Sequence, residues 1–197
     1  MVLGILSSKK KKLLKAIENG EDDVVSSLLE GFDKINETFS KPDDKDVAKW
    51  TYLLHSCKYG NTEIVQSLLE NGADLNDQDS RGRLPLYWAV QNDDDEEATR
   101  ICTLLIEKEV DINHQDIYGQ TALMMAANLV AGVNSIIGNN KTLELLLKSG
   151  ADPNLQHHEN GVSALYLAAS KSVEAVKLLL KYGAEPNIEN IHKATSI

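Results

Sequence analysis

Short stretches in which aliphatic residues fall at helical spacing recur along the chain, each closed by a turn. Ile64, Val65, Leu68 and Leu69 set the pattern, with apolar side chains on one face of a helix and polar ones between them. Paired branched aliphatics end such stretches five times: Leu28-Leu29, Leu68-Leu69, Leu105-Ile106, Leu146-Leu147 and Leu179-Leu180, with spacings of 40, 37, 41 and 33 residues. Three pairs run into nearly one turn, Asn71-Gly72-Ala73-Asp74, Ser149-Gly150-Ala151-Asp152 and Tyr182-Gly183-Ala184-Glu185. Each continues to an Asn, at Asn76, Asn154 and Asn187, and the other two pairs reach Asn36 and Asn113 through degraded versions. A second motif precedes four of the pairs: Thr51-Tyr52-Leu53-Leu54, Leu84-Pro85-Leu86-Tyr87, Thr121-Ala122-Leu123-Met124 and Ser163-Ala164-Leu165-Tyr166. Two motifs in one phase predict a repeat of two short helices. The first is rich in small residues, as in Met125-Ala126-Ala127, and the second is amphipathic and stopped by glycine. Helices this short are marginal alone, so stability has to come from stacking each pair on the next.

These units resemble ankyrin repeats, a family whose turn–helix–helix unit of about 33 residues carries a Thr-Pro-Leu-His element. The resemblance runs from about Lys9 to the C-terminus and implies an all-α solenoid of stacked helix-turn-helix units with short hairpin turns. It divides a single domain over 1–197 into repeats at about 9–38, 46–78, 79–115, 116–155 and 156–189, with the start of a sixth at 190–197. The His position is occupied by Leu54, Tyr87, Met124 and Tyr166, and Pro is kept only at Pro85. A weaker turn network and lower stability than an ideal array are therefore expected. Against a 33-residue unit the first three spacings exceed by 7, 4 and 8. The surplus is expected as loops at Glu37–Asp46, at Asp93–Glu97 and at Ala131–Gly138, the last two side by side on one edge. Lys193–Ile197 align with the beginning of a further unit, so the expectation is a fragment of a longer chain.

Composition narrows the chemistry. A hydrophobic fraction of 42% argues against wholesale disorder, and a net charge of −10 disfavours phosphate backbones and anionic lipid surfaces. No apolar run is long enough to span a bilayer, and two cysteines give no disulfide framework. Cys57 and Cys102 read as core residues. Asp93-Asp94-Asp95-Glu96-Glu97 lacks the spaced ligands of a calcium loop, and His114, His157 and His158 lack metal-ligand spacing, so both sets read as solvated polar residues. No phosphate-cradling glycine loop and no nucleophile pair stands out. The expectation is a non-enzyme without cofactor or metal. Lys9–Lys12 beside Val2–Leu6 reads as a solvated helix start.

The resemblance implies that binding uses the concave side, where hairpin tips and first helices meet. Mapped onto this sequence, the candidate partner-binding residues are Trp50 and Tyr59, then Arg81, Arg83, Trp88, Gln91 and Asn92, then Ile117, Tyr118, Gln120, Asn128 and Leu129. Trp, Tyr and Arg with isolated aliphatics is the composition of an interaction surface. Trp50 and Trp88 also fit a role packing between hairpins, and a Trp/Tyr cage for a methylated lysine is a minor alternative use. Asn76 and Asn113 resemble the hydroxylation acceptors of some family members. The expected function is recognition of a partner protein by a monomeric, cytoplasmic scaffold. The rival reading is a targeting segment of a larger enzyme or of a host-directed bacterial effector, then in host cytosol, with catalysis downstream of Ile197. A third is a structural spacer.

Overall fold

The computed structural model describes residues 8–40, 49–129 and 140–186. Among them are ten helices: α1 (Ser8–Glu18), α2 (Asp22–Leu29), α3 (Tyr52–Tyr59), α4 (Thr62–Glu70), α5 (Pro85–Ala89), α6 (Asp95–Glu107), α7 (Ala122–Leu129), α8 (Asn140–Lys148), α9 (Ala164–Ala169) and α10 (Val173–Lys181). Each odd-numbered helix packs on the even-numbered helix that follows it. Odd helices also stack on odd and even on even, giving two parallel rows. The described residues contain no strand, and two isolated β-bridges, Phe39 with Trp50 and Gln156 with Ser163, tie hairpin arms together. The fold is an all-α solenoid.

Local chemistry sets the helix ends. Thr51, Thr121 and Ser163 keep a hydroxyl before the inner helices α3, α7 and α9, accepting from the N–H of Leu54, Met124 and Tyr166. Before α5 the position is Leu84, and Pro85 instead supplies a first-turn residue that needs no hydrogen-bond partner. The hydroxyl half of the turn network is thus retained at three of these four helices, although the imidazole is not. At the outer-helix exits Gly72, Gly150 and Gly183 adopt φ of 89°, 94° and 91°, and the next residue's N–H closes back onto Leu68, Leu146 or Leu179. The third unit makes the same closure with Glu109 at φ 65°.

The core lies between the two rows and is continuous from Leu13 to Ala184, with Cys57 and Cys102 wholly inside it. Burial pushes both thiols up from their ordinary range, Cys57 with a further contribution from Cys102 nearby.

One expected loop proves to be helix. Asp94 caps α6 by accepting from the N–H of Glu96 and Glu97, and Asp95, Glu96 and Glu97 form its first turn. Carboxylates there face the positive end of the helix dipole, which is why an acidic run starts a helix. The surplus of the third unit therefore lengthens α6 to 13 residues, against 9 in α4. Glu97 is not merely solvated either: its Oε2 accepts from the backbone N–H and the hydroxyl of Thr62, both at 2.8 Å, tying α6 to the start of α4. Most of the surplus at Glu37–Asp46, all of that at Ala131–Gly138, the sixth-unit start and Val2–Leu6 lie outside the described residues. Within α1, Lys9 donates to the Glu30 carbonyl at 3.0 Å and Lys10 pairs with Glu37, so this end of the lysine run is tied to the following hairpin.

Candidate binding surface

Three hairpin tips in a row are built on one plan. Asp79 and Asp116 open theirs, each turning its carboxylate back so that Oδ1 accepts two backbone N–H groups, of Arg81 and Arg83 and of Tyr118 and Gln120. The corresponding position in the next unit is His157, whose Nδ1 accepts from the Glu159 N–H at 3.3 Å. The tips are then joined in sequence. Ile117 N–H donates to the Arg81 carbonyl at 3.0 Å, and His158 N–H to the Tyr118 carbonyl at 2.7 Å. Side chains repeat the connection: the Arg81 guanidinium lies 5.9 Å from the Tyr118 ring centre, and Tyr118 stacks on His157 at 6.1 Å with the planes 4° apart. Gly119 makes this approach possible. It sits at φ 83°, and a β-carbon there would fall 2.8 Å from the His158 nitrogen and 2.9 Å from the Gln156 carbonyl oxygen.

Beside the tips, the units at α3 and α5 share an aromatic floor. Trp50 and Trp88 meet with ring centres 4.5 Å apart, and His55 and Tyr59 close the cluster around Trp50. Trp88 is held from several sides: its indole N–H donates to Asp79 Oδ2 at 3.0 Å, and Arg83 lies over its ring at 4.3 Å while pairing with the same carboxylate oxygen at 2.6 Å. Lys58 places its ammonium 5.0 Å from the centres of both Trp88 and Tyr59. The space over those rings is therefore filled by the chain's own lysine. With Trp50 0% and Trp88 3% exposed, neither tryptophan offers an open wall for a methyl-lysine cage.

The candidate residues thus separate into two sets. Trp50, Arg83, Trp88 and Asn92 are buried. Asn92 donates to the Cys57 and Gly60 carbonyls at 3.1 and 3.0 Å, holding α5 to α3. These four lie beneath the surface and shape it; they do not present it. Tyr59, Arg81, Gln91, Tyr118 and Gln120 are half-buried, Gln120 accepting from the Tyr87 hydroxyl at 2.9 Å. Ile117 is 60% exposed, and Asn128 and Leu129 are exposed at the end of α7. Two contributors escaped the sequence reading. His157 was legible from the register, because it occupies the place of Asp79 and Asp116. Lys171, whose ammonium reaches the Asn128 carbonyl and side chain across one repeat, carries no such mark.

No group of three His, Cys, Asp or Glu side chains among the described residues is arranged to hold a metal ion. The histidines have other work: His114 donates from Nε2 to the Gly82 carbonyl at 2.7 Å, and His157 completes its tip. Among the described residues no helix is long and apolar enough to cross a membrane.

A stacked array of helix pairs with locked hairpin tips defines the class, a solenoid that presents a surface. The family model described as "Ankyrin repeats (3 copies)" matches residues 13–116, 77–157 and 95–190. The chain belongs to the ankyrin-repeat family. Curated relatives agree. The chain is 30% identical over 115 residues to the ANK repeat-containing protein nipk-1 of Caenorhabditis elegans, covering 55% of this chain and 18% of that protein. It is 31% identical over 180 residues to neurogenic locus notch homolog protein 1 of Xenopus laevis, covering 90% of this chain and 6% of that protein. With the ankyrin repeat protein nuc-2 of Neurospora crassa it shares 29% identity over 147 residues, covering 74% of this chain and 13% of that protein. The matched region spans less than a fifth of the length of each of these relatives.

Proposed function

We propose that this chain binds a partner protein through the face formed by its hairpin tips and inner helices, with Tyr59, Arg81, Gln91, Ile117, Tyr118, Gln120, Asn128 and Leu129 as the contact set. Ankyrin repeats are in general protein–protein interaction modules, which sets the class. The observation that carries the assignment to this face is the locked row of tips. Backbone bonds from Ile117 to Arg81 and from His158 to Tyr118 fix the surface before any partner arrives. A surface already ordered loses little conformational freedom on binding, so a few well-placed side chains suffice. Ile117, Tyr118 and Arg81 supply an aliphatic, an aromatic and a planar cation in adjacent units, the residue types that anchor interfaces.

The test is affinity capture with quantitative mass spectrometry on three forms of the chain. One is unaltered, one carries Arg81→Ala, Ile117→Asp and Tyr118→Ala, and one carries Glu63→Ala and Glu70→Ala on exposed outer positions. The buried Trp50 and Arg83 are left intact, because changing them would unfold the surface under test. A protein held by the first and third forms and lost by a folded second form is the expected result. Equal capture by all three would place binding elsewhere on the molecule.

A further inference from the structure

Two polar atoms on neighbouring hairpin tips, Arg83 Nη2 and Asp116 Oδ2, are enclosed and form no hydrogen bond among the described residues. Arg83 is 7% exposed and Asp116 4%, so bulk solvent does not serve them, and buried polar groups are rarely left so. Comparison of the two tips shows why the carboxylate oxygen is left over. One unit earlier, Asp79 Oδ2 accepts from Arg83 Nε at 2.6 Å and from the Trp88 indole at 3.0 Å. The same register places around Asp116 hold Gln120 and Met125. Gln120 turns its side-chain oxygen to the Tyr87 hydroxyl, and a thioether has no proton to give. Arg83 in turn spends Nε on Asp79 and its face on Trp88, which leaves Nη2 over. Arg83 and Asp116 line one small cavity of about 10 Å³ between the two units, shared with Leu84, Tyr87, His114 and Gln120.

From this we infer that the cavity is a binding site for one ordered water molecule, which accepts from Arg83 Nη2 and donates to Asp116 Oδ2. The volume suits a single water. The chemistry selects it as well. An anion would face the Asp116 carboxylate, a cation would face the Arg83 guanidinium, and an apolar group would serve neither. A small neutral molecule that both accepts and donates serves both. Movement of the protein is a poor substitute. Asp116 Oδ1 is fixed by the N–H groups of Tyr118 and Gln120, and the Ile117 N–H holds this tip to the Arg81 carbonyl at 3.0 Å. The water becomes a further tie between adjacent units, alongside the bond from Ile117 to Arg81. It supplies to Asp116 the donor that Arg83 and Trp88 supply to Asp79.

A high-resolution crystal structure of the full chain tests this directly. A single, well-ordered density peak within about 3.2 Å of both Arg83 Nη2 and Asp116 Oδ2 is expected. No peak there, or the two side chains bonded to each other, would overturn the water. A second measurement reads the site in solution. Gln120→Arg gives Asp116 the kind of partner that Asp79 already has, with folding checked by circular dichroism. Oxygen-17 magnetic relaxation dispersion of the unaltered chain should contain the contribution of a long-lived internal water, and the variant should lose about one molecule's share of it. Equal dispersion from the two folded forms would show that no water depends on Asp116 Oδ2, and would overturn the assignment. The crystal result decides whether or not the variant folds.

Discussion

At the scale of single residues, one buried ring and one half-buried carboxyl test how the stack is held. Trp50 is fully enclosed and meets Trp88, Tyr59 and His55, so Trp50→Ala opens a cavity at the junction of two units. The expected loss is about 3–5 kcal/mol in urea denaturation followed by circular dichroism, the range for large aromatic truncations in cores. A loss below about 1 kcal/mol would mean that the Trp pair is ornamental to the stack. Asp77 acts in the opposite sense. Burial raises its carboxyl above the usual carboxylate range, against a lowering hydrogen bond with Thr51. The folded state therefore holds that proton more tightly than the unfolded chain does. Stability from this group is complete below the unfolded-state value and declines as pH rises through the folded-state value. Asp77→Asn removes the charge, so its stability relative to the unaltered chain should be greater at pH 7 than at pH 3. Equal differences at the two pH values would show that the carboxylate is solvated after all. Neither role is marked in the sequence. A tryptophan at a hairpin arm reads equally as anchor or as filler, and burial, a property of the stack, decides.

At the scale of elements, most of the fold was legible because each helix announces its own ends. The aliphatic stripes, the Thr or Ser caps and the exit glycines are local signals, and the structure uses them where the sequence places them. The failure at α6 is instructive. A surplus over the repeat length and a run of five acidic residues resemble a loop, since like charges repel and polar residues favour solvent. What outweighs this is capping: Asp94 satisfies two open N–H groups, the next three carboxylates sit at the favourable end of the dipole, and Glu97 gains Thr62. Asp94→Ala should therefore cost about 1 kcal/mol in urea denaturation. The loss should be confined to the first turn of α6, read as faster amide exchange at Glu96 and Glu97 with the last turn unchanged. No change in exchange there would mean that the dipole and Glu97 hold the turn without the cap.

At the scale of the whole molecule, a linear array is held together by what passes between neighbours. An asparagine relay supplies part of it. Asn36 donates to the Gly72 carbonyl and accepts from Asp74 N–H. Asn113 does the same with Gly150 and Asp152, and Asn154 with Gly183 and Glu185. Asn76 makes no side-chain hydrogen bond among the described residues, and the residue that should receive it is Glu109. Glu109, which carries a β-carbon, stands at φ 65° where the three glycines open to between 89° and 94°, and among the described residues Asn76 forms no bond to its carbonyl. The relay is thus broken at one junction, which the sequence shows as a missing glycine on the far repeat and the shared asparagine conceals. That junction has other ties, Trp50 on Trp88, Asn92 to the end of α3, and Glu97 to Thr62. Four alanine substitutions read this directly. Asn36→Ala, Asn113→Ala and Asn154→Ala should each cost about 1 kcal/mol in urea denaturation, the worth of an exposed two-bond bridge, and Asn76→Ala should fall within about 0.5 kcal/mol of neutral. Four equal losses would mean that asparagine acts within its own turn and not between repeats, and cohesion of the stack would then rest on the core and the locked tips alone.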